Sequence, residues 1–291
     1  MNIGWIGTGV MGISMAQHLA DNGHSLRVYN RTRSKAEPLI KNGAVWAESP
    51  AEAALDADIV FTIVGFPNDV EQVILGKNGV LETASKGSIL VDMTTSTPAL
   101  AERIHRESAK KGVQSIDAPV SGGDIGAKEG TLAIMVGAEQ EAFDRVEPLF
   151  SVMGKNIRLM GGPGKGQHTK MCNQILIAGT MIGVVESLLY AWKAGMDQQQ
   201  VIEVIGKGAA GSWSINQLGP QIAEKNYDPG FFIKHFVKDM RIALDEAHRM
   251  QLALPGLALA EQFYTAAMSL GYEELGTQGL YKVFEKMNGA G

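Results

Sequence analysis

The chain has 291 residues, 45% of them apolar and 20% charged, the ordinary balance of a globular protein. That length exceeds what one hydrophobic core usually organises, so two domains are expected. The net charge of −5 is spread without blocks of like sign, which argues against nucleic acid or an anionic membrane as a partner.

The first strand, Ile3–Ile6, begins almost at once, so no signal or transit peptide is expected. It runs into Gly7-Thr8-Gly9-Val10-Met11-Gly12, after which a helical pattern covers Val10–Asn22. A G-x-G-x-x-G run is weak alone, but here it joins a strand to a helix inside a βαβ unit. Gly7 permits the tight turn, Gly9 lets backbone approach a pyrophosphate, and Gly12 allows close helix–strand packing. The N–H groups of the helix N-terminus then face the phosphates. This is the pattern of a Rossmann-type dinucleotide site.

The second strand, Ser25–Asn30, ends in Asn30-Arg31-Thr32-Arg33. NAD enzymes usually carry Asp or Glu here to hold the ribose hydroxyls. With Arg31 as a guanidinium fork and Thr32 as a hydroxyl donor, NADP(H) is favoured over NAD(H). The competing reading is that Arg31 only stacks on the adenine, which suits either cofactor.

Further strands are read at Ile59–Val64, Ser88–Met93, Val113–Ala118, Leu132–Val136 and Asn156–Met160, with helices such as Arg33–Asn42 and Pro98–Lys111 between them. Alternation of this kind predicts a mostly parallel, doubly wound α/β sheet. After Gly161-Gly162-Pro163-Gly164 the strand pattern stops, placing the domains at 1–162 and 163–291. A helix from about Gly166 to Ala194 follows, spanning roughly 40 Å. Shorter helices, separated at Gly208–Gly211, Tyr227–Gly230, Pro255-Gly256 and Gly271, complete an all-α C-terminal domain.

The long helix is apolar nearly all round. Its most apolar run, Ile175–Val185, is short of the roughly 20 residues a bilayer requires, so it reads as a buried helix. Gly179 and Gly183 let another helix approach, which points to a subunit interface in a homodimer or homotetramer. Cys172, the only cysteine, excludes an intrachain disulfide, suits a reducing, cytoplasmic setting, and is expected to be a buried inert thiol. Against this apolar background Gln167, Lys170, Asn173 and Gln174 fall at i, i+3, i+6 and i+7 as one polar stripe.

Four stretches together resemble the β-hydroxyacid dehydrogenases, the family of 3-hydroxyisobutyrate dehydrogenase and tartronate semialdehyde reductase. They are Gly4–Gly12, Asp117–Gly123, Gly164–Gln174 and Lys238-Asp239. The resemblance implies that Lys170 is the catalytic acid/base; the competing reading is a surface lysine. It implies that Ser121, Gly122 and Gly123 hold the substrate carboxylate, and that Thr95, Lys238 and the Val64-Gly65-Phe66 turn lie against the cofactor. Many members carry Asn four residues after this lysine, where this chain has Gln174 preceded by Asn173, so which amide meets substrate stays open.

Trp213, in a glycine-rich loop, reads either as a wall of the substrate pocket or as core. Asp117 is expected to satisfy loop N–H groups, and Asp239, adjacent to Lys238, to be structural and to face elsewhere. The six histidines have no metal-ligand spacing, so no metal is expected. The expected activity is hydride transfer between NADP(H) and a small semialdehyde acid or hydroxy acid. The rivals are an imine reductase of the same fold, in which the Lys170 position usually lacks a lysine, and a nucleotide-sensing protein without turnover.

Overall fold

Short apolar runs separated by helical stretches form nine strands in the computed structural model, which describes residues 1–289. They are β1 (Asn2–Ile6), β2 (Ser25–Tyr29), β3 (Val45–Trp46), β4 (Ile59–Thr62), β5 (Ile89–Asp92), β6 (Gln114–Asp117), β7 (Val120–Ser121), β8 (Leu132–Gly137) and β9 (Gly154–Gly161). The order across the sheet is β3-β2-β1-β4-β5-β6-β8-β7, with β9 also paired to β8. From β3 to β6 every pairing is parallel, whereas β8 runs antiparallel to β6 and β7.

Alternate residues of each central strand feed different cores, as the pleat requires. Trp5, Phe61 and Val91 join one cluster with Phe150, while Ile6, Val60 and Leu90 join a second with Val70 and Ile104. Both faces are covered by helices, which is why these strands are apolar throughout. The strand order reverses between β1 and β4, and open α/β sheets bind ligands at such a point, beyond the carboxyl ends of the strands. The glycine loop follows β1 there, and the Val64–Phe66 turn follows β4.

The chain divides into two compact units, residues 1–170 and 171–291. The division falls inside the long helix, Lys165–Lys193, rather than in the glycine-proline turn that precedes it. In the second unit that helix shares a core with Ile233–Arg249, Pro255–Ser269 and Leu280–Met287. Phe236 and Tyr264 meet edge to face at 5.0 Å, and the Tyr264 hydroxyl donates to the carbonyl of Thr277 at 2.9 Å.

Two expectations for the long helix need correction. Cys172 is exposed, because it lies on a face with Leu176, Gly179, Gly183 and Tyr190 that the chain leaves open. The apolar stretch is also longer than the eleven residues read from the sequence. By length and composition the helix is able to cross a membrane, with a mean hydropathy of 1.7 over 18 residues, of which 33% are buried.

Candidate active site

In the first unit the site is built at the carboxyl edge of the sheet. Gly7 has a φ of +104°, and a Cβ there would stand 2.0 Å from the carbonyl oxygen of Ile63. A Cβ on Gly12 would meet the Gly7 carbonyl at 2.2 Å, so the turn and the first helical residue are locked against the sheet. At Gly9 a Cβ would meet nothing within 4 Å. The absence of a side chain there is therefore not a packing requirement, and the space suits a close-approaching ligand.

Asn30 holds this loop from β2. Its Oδ1 accepts from the Thr8 N–H at 3.1 Å, and its Nδ2 donates to the Thr32 carbonyl at 2.9 Å. Thr8 is buried, and its hydroxyl has no protein partner. The helix that follows, Gly12–Asp21, has no acidic residue in its first turn. A buried orphan hydroxyl, an open glycine and an unopposed helix N-terminus are what a dinucleotide pyrophosphate requires, so these residues fit that cofactor.

Arg31 is 88% exposed, and Asp69 lies 3.6 Å from its guanidinium. Arg33 is occupied elsewhere, paired with Glu37 and Glu48 and stacked over Trp46 at 5.2 Å. The Thr32 side chain is exposed and makes no capping bond. After β4, the Val64 N–H donates to the Thr94 hydroxyl at 2.9 Å, tying the Val64–Phe66 turn to the loop after β5. Val10 and Phe66 are exposed, and Met11, Val64 and Gly65 are half-buried.

The first turn of the long helix is pinned by Asp117 at the end of β6. Its two oxygens accept from the N–H groups of Gly164 at 2.7 Å and Gln167 at 2.8 Å. A carboxylate from another element thus caps a helix that has no acidic residue of its own there. Burial raises the Asp117 carboxyl to about 6, against the opposing pull of those backbone bonds. Gly166 sits in the same crowded corner, where a Cβ would stand 2.4 Å from the Met135 carbonyl oxygen.

Gln167 then reaches across to the loop after β5. Its Nε2 donates to the Thr94 carbonyl at 2.8 Å, and its Oε1 accepts from the Ser96 N–H at 2.9 Å. Thr95 lies between those two anchors. One turn further along the helix, Lys170 is buried and its Nζ donates to the Val120 carbonyl at 2.8 Å. That carbonyl immediately precedes Ser121, Gly122 and Gly123, whose backbone turns through φ values of +131° and +64° at the two glycines. Lys170 and the Ser121–Gly123 loop are therefore joined directly, whereas nothing in the sequence revealed the Gln167 clamp.

In the second unit the amides of the stripe form a chain. Asn173 Nδ2 donates to Gln174 Oε1 at 2.7 Å, and Gln174 Nε2 donates to Asp239 Oδ2 at 2.6 Å. Lys238 Nζ lies 3.0 Å from the other Asp239 oxygen. Asp239 was expected to face away from its neighbour. The lysine's flexible four-carbon stem reaches it nonetheless. Both Gln174 and Asp239 are buried, so Gln174 is committed to the network and Asn173 is the more accessible amide. Trp213 is 55% exposed, which removes the core reading.

Comparison with known proteins gives the chain's family. Residues 2–162 match the family described as the NAD binding domain of 6-phosphogluconate dehydrogenase. Residues 164–284 match the NAD-binding family of NADP-dependent 3-hydroxyisobutyrate dehydrogenase. The Arabidopsis thaliana protein named "Probable 3-hydroxyisobutyrate dehydrogenase-like 1, mitochondrial" is 53% identical over 98% of this chain and 86% of its own length. The 2-hydroxy-3-oxopropionate reductase of Escherichia coli is 39% identical over 99% of this chain and 98% of its own. A crystal structure of 3-hydroxyisobutyrate dehydrogenase from Salmonella typhimurium superposes with a TM-score of 0.90 at 26% identity, covering 97% of this chain and 99% of that one. The chain belongs to the β-hydroxyacid dehydrogenases, oxidoreductases with an NAD(P)-binding Rossmann domain that act on the CH–OH group of small hydroxy acids.

Proposed function

We propose that the protein interconverts a short semialdehyde acid and its hydroxy acid with NADP(H), using Lys170 as proton donor and acceptor. The observation that carries this reading is the buried Lys170 amine on the Val120 carbonyl, one residue before the Ser121 hydroxyl and the two glycines. A substrate whose carboxylate lay on Ser121, Gly122 and Gly123 would present its carbonyl or alcohol oxygen beside that amine. Tartronate semialdehyde, methylmalonate semialdehyde, succinate semialdehyde and glyoxylate have the required acid and carbonyl at short range. The E. coli relative, named for reduction of 2-hydroxy-3-oxopropionate, supports such a substrate.

The cofactor would lie with its pyrophosphate on Gly7, Thr8, Gly9, Val10, Met11 and Gly12. Asn30, Arg31 and Thr32 would take its ribose end, with Val64, Gly65, Phe66 and Thr95 along it. Arg31 supports the phosphorylated form, as does the NADP-dependent family matched by residues 164–284. When bound, the nicotinamide supplies or accepts the hydride. The chain's part is the proton. In reduction the Lys170 ammonium gives one to the carbonyl oxygen, and in oxidation the neutral amine takes one from the alcohol. Val120 fixes the amine by one of its three N–H donors. A reducing, cytoplasmic setting and a homodimer or homotetramer complete the proposal.

Lys170→Met tests it. Turnover should fall by about 10²–10⁴ while NADPH affinity stays within a few fold, since the residues assigned to the cofactor are untouched. In the parent enzyme, reduction should fade as pH rises and oxidation as pH falls. Near-normal turnover in Lys170→Met would assign the proton elsewhere. A parent enzyme that reduces a cyclic imine but no semialdehyde would favour the imine reductase, and NADPH binding with no turnover would favour a sensor.

A further inference from the structure

The loop after β2 carries no acidic residue at Asn30-Arg31-Thr32, yet the structure supplies one from a different element. Asp69, in the first turn of the helix Pro67–Leu75, places Oδ1 3.6 Å from the Arg31 guanidinium. The carboxylate is not loose, because its Oδ2 accepts from the Phe66 N–H at 3.1 Å and closes a capping box. Arg31 is the exposed member of the pair, at 88% against 29% for Asp69. The anion is therefore the fixed partner and the cation the movable one. The loop's other guanidinium, Arg33, is already held by Glu37, Glu48 and Trp46.

We propose that Asp69 is a specificity-determining residue for the cofactor: a fixed carboxylate that competes with a ribose 2′-phosphate for Arg31 and offers an acceptor to an unphosphorylated ribose. The proposal rests on the reading of Arg31 as the group that recognises the 2′-phosphate. A phosphate monoester carries about −1.5 to −2 at pH 7. Drawn to Arg31, it comes within a few ångströms of a carboxylate that its cap prevents from withdrawing, and like charges at that range repel. A ribose hydroxyl meets the opposite situation, since it can donate to a carboxylate as it does to the acidic residue at the second strand in NAD enzymes. Arg31 and Asp69 then pull the preference in opposite directions, and the chain tolerates both cofactors.

The test is Asp69→Asn, whose Oδ1 keeps the capping bond to Phe66, studied beside Arg31→Ala. Equilibrium binding of adenosine 2′,5′-bisphosphate, AMP, NADPH and NADH is measured by calorimetry at low and high salt. In Asp69→Asn the bisphosphate and NADPH should bind about 5- to 10-fold tighter at low salt, with a smaller gain at high salt. NADH should bind several-fold weaker. Arg31→Ala should weaken NADPH selectively. If it does so while Asp69→Asn leaves the NADPH/NADH ratio unchanged, the role of Asp69 is overturned and the reading of Arg31 stands. If Arg31→Ala weakens both cofactors equally, that reading fails and this proposal with it. An unchanged melting temperature certifies the fold, and Asp69→Ser repeats the test should the amide variant unfold.

Discussion

Replacing Gln167 by Met keeps the length and nearly the volume of the side chain but deletes both of its side-chain bonds. The Thr94 carbonyl and the Ser96 N–H, held at 2.8 and 2.9 Å, then lose their partner. Gln167 is 0% exposed and Ser96 1%, so water does not readily replace it. A buried backbone group left unpaired costs about 1–3 kcal/mol, so two cost about 2–6 kcal/mol. The lowest quarter of that range applies, because the Thr94 carbonyl has a second lone pair and the loop can relax, leaving about 2–3 kcal/mol. No cavity opens, so no packing loss is added. For a unit of this size each kcal/mol lowers the melting temperature by about 2–4 °C, which predicts a fall of roughly 4–12 °C. Thermal unfolding followed by circular dichroism measures it. NADPH should also bind several-fold weaker, since Thr95 sits between the two lost anchors. A melting temperature within about 1 °C of the parent, with unchanged NADPH affinity, would refute the clamp.

Three further outcomes are expected. Gly9→Ala should fold with the parent's melting temperature yet lose most dinucleotide affinity, whereas Gly7→Ala and Gly12→Ala should be destabilised outright, because only their added Cβ atoms strike backbone. Equal destabilisation in all three variants would remove the ligand reading of Gly9. Asp117 titrates at about 6 when folded, against 3.8 as its ordinary value, so between these pH values the native state keeps a proton that the unfolded chain has lost. Stability should therefore decline as pH rises through that window, by up to about 3 kcal/mol, and the decline should be missing in Asp117→Asn. Denaturant titrations of the two proteins from pH 4 to pH 7 that run parallel would contradict it. Leu176, Gly179, Gly183 and Tyr190 share an exposed helix face at coiled-coil spacing, which predicts self-association at micromolar concentration and its loss in Leu176→Glu. Sedimentation of a fully active monomer would dismiss that interface.

The central sheet was readable in the sequence because parallel strands covered on both faces are long apolar runs, and the helices between them carry a different period. Val45–Trp46 and Val120–Ser121 escaped detection because two residues hold no period. The antiparallel course of β8 also escaped, since alternation says nothing about the direction of a neighbour. At the site, the glycine loop and the polar stripe announced themselves by local spacing. The Gln167 clamp joins residues 71 and 73 positions apart, and the Asp117 cap joins residues 47 and 50 apart, distances that no local pattern spans. Asp69 was hidden in the same way, because its partner Arg31 lies on a different element. For Lys238 and Asp239 the helix-face rule describes where Cβ points, and a flexible stem overrides it. Cys172 was placed in the core by average preference, whereas its neighbours at 176 and 179 put it on the open face.

The burial of the polar stripe in the long helix favours the proposed proton-transfer role of Lys170 over a purely architectural one. A helix that only joins two units would present Leu or Ala at its buried positions, where each buried CH₂ contributes about 0.8 kcal/mol and nothing needs a partner. Here Gln167, Lys170 and Gln174 are buried instead, and each has to be matched by an acceptor or donor on a different element. A buried ammonium is tolerated only where it is hydrogen-bonded, and its net gain in stability over a packed apolar side chain is small or negative. The three groups also do not share one partner. Gln167 is tied to the loop after β5, Lys170 to the Val120 carbonyl, and Gln174 to Asp239, so each turn of the helix is registered separately. Separate registration is of little use to a strut, which only has to stay straight. It is what a proton donor requires, because displacing the amine by a single ångström sacrifices the alignment on which acid–base transfer depends.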